Sequence, residues 1–283
     1  MKKVFTFVVL TLLVASFMFA QDLKLPRVSQ KASVTQTVGL TEVTITYSRP
    51  GVKGRAIWGG LVPYDKVWRT GANEATTISF SDDVKIGGQS LPAGTYSLHT
   101  IPAKEEWTII INSAANQWGS YEYDQSKDAI RIKVKPQEGS HQEWMTFSFT
   151  DVQTSSATVE FAWEKLRVPF KCETDTNTKA VANIKKAFEG MNDWLIPYRA
   201  ADFAFTANLD NKAETMKWID QSITLNENYW NLRLKAAMLA RDGKTKDAVA
   251  VAEKAVKLGK ENKDEPSEVE KTEKQIAEWK GRL

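Results

Sequence analysis

A single cysteine, Cys172, and two histidines, His99 and His141, are all that this 283-residue chain holds of those two residue types. One thiol closes no internal disulfide, so the fold must rest on a hydrophobic core, and Cys172 is expected as a small buried apolar side chain. Two histidines on separate segments, with no cysteine at ligand spacing, do not make a zinc site. Walker loop, dinucleotide fingerprint and nucleophile elbow are also missing, so neither metal nor cofactor is expected. Charge of either sign is not in excess. The chain counts 38 basic and 35 acidic residues, and without Lys2 and Lys3 the balance is 36 against 35. That near-neutrality excludes the basic footprint of a nucleic-acid binder.

Long apolar runs are confined to the start. Lys2 and Lys3 precede a run from Val4 to Ala20 that is interrupted by Thr6, Thr11 and Ser16, and Gln21 and Asp22 begin a polar chain. This is the pattern of a secretory signal peptide over residues 1–20, with cleavage after Ala20. The run sits near the lower length limit of a spanning helix, and no stop-transfer pattern follows. The expectation is export to the periplasm or beyond, with no stable membrane span after leader removal. About 260 residues then remain, enough for one or two domains with their own cores.

From residue 21 to 172 the periodicity is two. Val34, Gln36 and Val38 share a face, Gly39 and Leu40 turn the chain, and Val43, Ile45 and Tyr47 return. Strands are predicted at 75–80, 84–86, 95–101, 107–111, 130–134, 143–149, 157–163 and 166–170, with a Gly87-Gly88 turn between. About ten short strands without helical pattern between them predict an antiparallel β-sandwich or jelly roll. Residues 173–283 change character: alanine, lysine, glutamate and leucine recur at helical spacing. Asn177 or Thr178 is placed to cap a first helix, and Pro197 suits the first turn of a second. Trp218, Ile219, Ser222 and Ile223 are echoed by Val251, Ala252, Ala255 and Val256 at an offset of 33. That is within one residue of the tetratricopeptide period, so an all-α tetratricopeptide-like region of two units is expected, leaning on the sandwich or packed as a small bundle. Trp194, Trp218, Trp230 and Trp279 are read as its core.

Two stretches do not fit the strand pattern. Between Arg49 and Arg69 the chain places Arg49, Lys53, Arg55, Lys66 and Arg69 beside Trp58, Tyr64 and Trp68, punctuated by Gly51, Gly54, Gly59, Gly60, Pro50 and Pro63. Such punctuation stops helix and strand, while three large rings argue for an ordered loop. The second stretch, Asn112 to Asp128, carries Trp118, Tyr121 and Tyr123 among amides. Rings that cover the apolar face of a small molecule, with Arg, amide and carboxylate groups for its polar edges, fit sugar or anion binding. The candidate ligand residues are Trp58, Tyr64, Trp68, Arg69, Asn73, Glu74, His99 and Trp118. Each has a plainer alternative: the rings as caps on the sandwich end, Arg69 and Glu74 as a structural ion pair ordering the loop, His99 as a residue of a polar strand face. No catalytic residue is assigned.

The runs YSRPGVKGRAIWGGLVPYDKVWRTGANEATTISF, IGGQSLPAGTYSLHTIP, EEWTIIIN and QWGSYEYDQSKDAIRI together resemble the secreted bacterial family catalogued as domain of unknown function 2911. The resemblance covers Arg27 to Phe170. It implies the β-domain boundary and export, and carries no activity, cofactor or site residue. The expected function is a non-enzymatic binding module, with a small polar ligand or glycan on the β domain and a protein partner on the helices. The alternative is a hydrolase acting on glycans or cell-envelope material.

Overall fold

Alternation between buried and exposed side chains becomes strand pairing along residues 30–174 in the computed structural model, which describes residues 25–283. The leader expected over residues 1–20 lies outside the described residues. The strands are β1 (Gln30–Val38), β2 (Thr41–Arg49), β3 (Thr76–Phe80), β4 (Val84–Ile86), β5 (Gln89–Leu91), β6 (Gly94–Ile101), β7 (Trp107–Asn112), β8 (Asp128–Val134), β9 (Gln137–Thr150) and β10 (Ser156–Thr174). They form a six-stranded antiparallel sheet, β1-β2-β3-β6-β7-β8, facing a four-stranded sheet, β5-β4-β10-β9. One apolar cluster fills the space between them, with Val43, Ile45, Ile78, Leu98, Ile109 and Ile111 from the first sheet and Ile86, Phe147, Val159, Phe161 and Phe170 from the second. This is the sandwich that the period-two pattern predicts. Cys172 is buried in it, and burial pushes its thiol up to about 12, so it is an inert apolar group.

The strands differ from the expectation at three places: β5 is not among those predicted, β9 begins at Gln137 rather than at 143, and two predicted strands are one. Residues 157–163 and 166–170 are a single strand, β10, whose register against β9 slips on either side of Glu164. Glu164 has φ 53°, the mark of a bulge that bends a long strand without ending it. A composition-based reading sees the break in alternation and cannot see that pairing resumes beyond it.

The remaining chain is six helices: α1 (Thr176–Phe188), α2 (Leu195–Thr206), α3 (Lys212–Leu225), α4 (Tyr229–Arg241), α5 (Thr245–Asn262) and α6 (Pro266–Lys280). Asp175 caps α1, accepting from the Thr178 N–H at 3.2 Å, in place of the expected Asn177 or Thr178. Starts of α3 and α5 stand at the predicted repeat, and Asn228 and Asn231 close a capping box at the head of α4. Trp218 is buried among Ala200, Ala204, Ile219 and Met238, while Trp230 and Trp279 pack at the margins of two smaller clusters.

The helices meet the sandwich at one tight junction. Gly39, in the β1–β2 turn at φ +62°, lies where a β-carbon would stand 1.9 Å from Thr176 Oγ1 and 2.7 Å from the Thr154 carbonyl. Lys179 of α1 reaches Asp82 at 2.7 Å and Thr41 Oγ1 at 2.9 Å. Both the backbone conformation and the space demand glycine, so Gly39→Ala is expected to cost about 1–3 kcal/mol. Urea unfolding checks this; an unchanged midpoint would show that the junction yields freely.

Candidate functional site

The insertion between β2 and β3 is stitched to both sheets. Val52 N–H donates to the Glu143 carbonyl at 2.8 Å and the Pro50 carbonyl accepts from Met145 at 3.0 Å, which ties it to β9. Trp68 and Thr100 exchange backbone bonds at 2.8 and 2.9 Å, and Asp65 N–H reaches the Pro102 carbonyl at 2.8 Å, which ties it to β6 and the turn beyond. Positive φ accounts for glycine at Gly54 and Gly59, while Lys53, Asp65 and Thr70 adopt it without glycine.

That path drives two of the predicted ligand rings inward. Trp58 meets Trp107 edge-on at 4.9 Å between centroids, Trp163 at 5.8 Å and Trp68 at 6.0 Å, while Trp68 stacks on Trp163 at 6.0 Å. Phe161 completes the cluster. Trp58 and Trp68 therefore plug the sandwich end. Tyr64 stands apart, its ring over Gly59, where a β-carbon would lie 2.9 Å from it.

The ion pair expected between Arg69 and Glu74 does not form. Glu74 instead accepts from Arg27 Nη1 at 2.6 and 2.7 Å, a contact that holds its carboxyl below the usual range. Positive φ at Thr70 and Asn73 turns the chain between the two expected partners, and the segment before β1 fills the place. Asn73 Nδ2 donates to the Ser29 carbonyl at 3.1 Å and fixes that segment. Arg69 is half-buried and its Nε has no hydrogen-bond partner among the described residues; burial pulls its pKa down, with the Tyr121 phenol weakly opposing.

The second irregular stretch lies across the outer face of the six-stranded sheet. Ala75 N–H donates to the Gln117 carbonyl at 3.0 Å, Gly119 N–H to the Asn73 carbonyl at 3.2 Å, and Glu74 and Trp118 face each other across an antiparallel bridge. Beneath it runs a buried polar network. His99, fully buried, has Nδ1 3.0 Å from Ser120 Oγ and Nε2 3.1 Å from Ser97 Oγ. Gln117 Nε2 reaches Ala114 O at 2.7 Å and Ser97 Oγ at 3.2 Å; Asn112 Nδ2 donates to Asp128 Oδ1 at 2.8 Å. Tyr123 and Arg131 both bond Asp128 Oδ2 at 2.7 Å. Burial lowers the His99 pKa to about 4, against a weak pull from Asp128, so the ring is neutral at pH 7.

The covering loop leaves a groove of about 410 Å³, lined in part by Lys31, Thr46, Glu74, Thr77, Asn116 and Trp118. Of the eight predicted residues, Glu74 and Trp118 line this groove; Trp68 and Arg69 line a different cleft at the insertion. Ser97 and Ser120 were missed as partners of His99, and Asn112 and Asp128 as members of the network around it. The signal was present in the polar outward positions of two central strands beside an amide-rich loop.

Residues 29–172 match the family described as protein of unknown function (DUF2911). The chain belongs to this family. The DUF2911 match spans both sheets, the insertion and the covering loop, and the six helices follow it. No curated protein and no solved structure matches the chain. Among the described residues no group of three or more His, Cys, Asp or Glu could hold a metal ion, and no helix is long and apolar enough to cross a membrane.

Proposed function

We propose that the sandwich is an exported, non-enzymatic binding module whose outer groove takes a glycan, with the helices serving to dock a protein partner. The observation that carries the reading is Trp118. Its indole is 60% exposed although its backbone is bonded on both sides through Gln117 and Gly119. A ring of that size left in water forgoes about 2–3 kcal/mol of burial, and a rigid mounting removes the ordering cost of using it. Sugar C–H faces stack on such a ring while the hydroxyls of Thr46 and Thr77, the Asn116 amide and Glu74 offer donors and acceptors.

Trp118→Ala is expected to abolish signal on a glycan array while moving the unfolding free energy by no more than about 0.5 kcal/mol. A wild-type protein that binds no glycan, or a variant that binds equally well, overturns the reading.

The alternative is a hydrolase acting on glycans or cell-envelope material. Among the described residues Glu74 is the sole carboxylate lining the groove, and it is paired with Arg27, so the two-carboxylate geometry of a glycosidase is not supported. What favours hydrolysis is the contact of Ser120 Oγ with neutral His99, a nucleophile and base in hydrogen-bond reach. Labelling by a fluorophosphonate probe, lost in Ser120→Ala, would select this reading over simple binding.

A further inference from the structure

The cleft at the insertion has a composition unlike the outer groove. It holds about 360 Å³, and its lining includes Lys53, Arg55, Arg69, Trp68 and Trp163 but, among the described residues, no carboxylate. Glu143 stands at its edge: its Oε1 accepts from the Lys53 backbone N–H at 2.9 Å and lies 3.1 Å from where a β-carbon on Gly51 would be, and it pairs with no cation of the cleft. Val62, Pro50 and Pro63 add apolar wall, and Val28 and Ser29 close one side. Three cations gathered without an ion pair among the described residues repel one another, and an arrangement of that kind persists when something else uses the field.

The three cations are held differently. Arg55 is fixed by its own loop, donating to the carbonyls of Val52 and Gly51. The exposed Lys53 has its ammonium 5.8 Å from the Trp144 ring, and Arg49 and Trp144 line an adjoining hollow of about 300 Å³. Arg69 has neither hydrogen bond nor ion pair among the described residues, and its Nε is buried. A half-buried guanidinium without a partner costs stability, so a folding role does not account for it.

We propose that this cleft is a second ligand site, specific for a small molecule that carries a carboxylate or phosphate on an apolar body. The anionic group meets Arg69, Arg55 and Lys53, whose charge-assisted hydrogen bonds supply the affinity, and the body lies against the wall that includes Trp68. Trp68 is rigid because its indole N–H donates to the Gly71 carbonyl at 3.2 Å and its ring is stacked on Trp163, so the cleft wall is preorganised. The site is independent of the outer groove.

Calorimetry on the full mature chain, with phenyl phosphate, benzoate, inorganic phosphate and neutral benzyl alcohol as probes, tests this. Binding of at least one aromatic anion, weakened by added salt, with none for the alcohol, is the expected result. Phenyl phosphate against benzoate decides between phosphate and carboxylate, and inorganic phosphate shows how much the body contributes. Arg69→Gln and Lys53→Gln should each weaken the bound probe by about tenfold or more. Arg69→Gln should also leave the thermal midpoint unchanged or raise it, whereas a structural arginine would lower it. Trp118→Ala should leave anion binding intact, which keeps failure here distinct from failure of the glycan reading. Absence of binding by every anionic probe, equal affinity in Lys53→Gln and Arg69→Gln, or a fall in midpoint on removing Arg69 overturns the proposal.

Discussion

Trp58→Ala is expected to lower the unfolding free energy by about 3–5 kcal/mol, the range for deleting a packed tryptophan. The ring touches Trp107, Trp163, Trp68 and Phe161, all within 6.2 Å between centroids, and every one of these contacts is edge-on. Aromatic pairs of that geometry each add about 0.5–1.5 kcal/mol beyond area, so the loss should fall toward the upper end. Neighbours cannot collapse into the gap, because Trp107 and Trp163 are themselves fully buried and the insertion's backbone is bonded to both sheets. Urea unfolding should show a lower midpoint at unchanged slope. A loss under about 1 kcal/mol would mean that the ring serves solvent or ligand rather than the core.

Acid should destabilise the sandwich through His99. Its pKa is about 4 in the folded chain against an ordinary 6.5, because the ring is buried between Ser97 and Ser120. Between those two values the unfolded chain binds the proton and the folded one does not, so stability is fully present above pH 6.5 and falls as pH drops toward 4. The difference in pKa corresponds to a loss of about 3 kcal/mol once both states are protonated. Asp128 and the Tyr123 phenol, its ring 5.4 Å away, are the titratable groups facing the imidazole; Asp128 favours the cation and softens the loss only slightly. Denaturant midpoints of wild type and His99→Gln, compared from pH 7 to 4, isolate the effect because the other carboxylates cancel. Parallel pH profiles would show that His99 is not the responsible group.

Period-two alternation was enough to place most of the strands, since a strand that buries one face writes that face into its sequence, but it left out the short β5, began β9 at 143 rather than at Gln137 and cut β10 in two. The helical repeat was legible for the same reason at a different period. Legibility failed where a residue's role depends on what comes to it from far along the chain. Glu74 could be seen beside Arg69 in sequence, but its partner is Arg27, delivered by the segment before β1. The aromatic insertion was recognisable as ordered from its three rings. Which rings would face inward was not, because positive φ at several non-glycine residues breaks any regular alternation. His99 looked like a residue of a polar strand face, and only the covering loop turned that face into a buried network.

From the residues alone came the two-sheet architecture, the change to helices after Cys172, the family to which the β domain belongs, and the two irregular stretches as ring-rich insertions outside the strand pattern. Those follow from local periodicity, turn chemistry and ring content, all of which act over a few residues. The tertiary structure alone scattered the eight candidate residues: Trp58 into the sandwich end, Trp118 into water, His99 into a buried network, Arg69 into a basic hollow that holds no carboxylate among the described residues. Long-range packing decides that, since burial and charge neutralisation are set by segments dozens of residues away, and no spacing within one stretch encodes which of them will arrive.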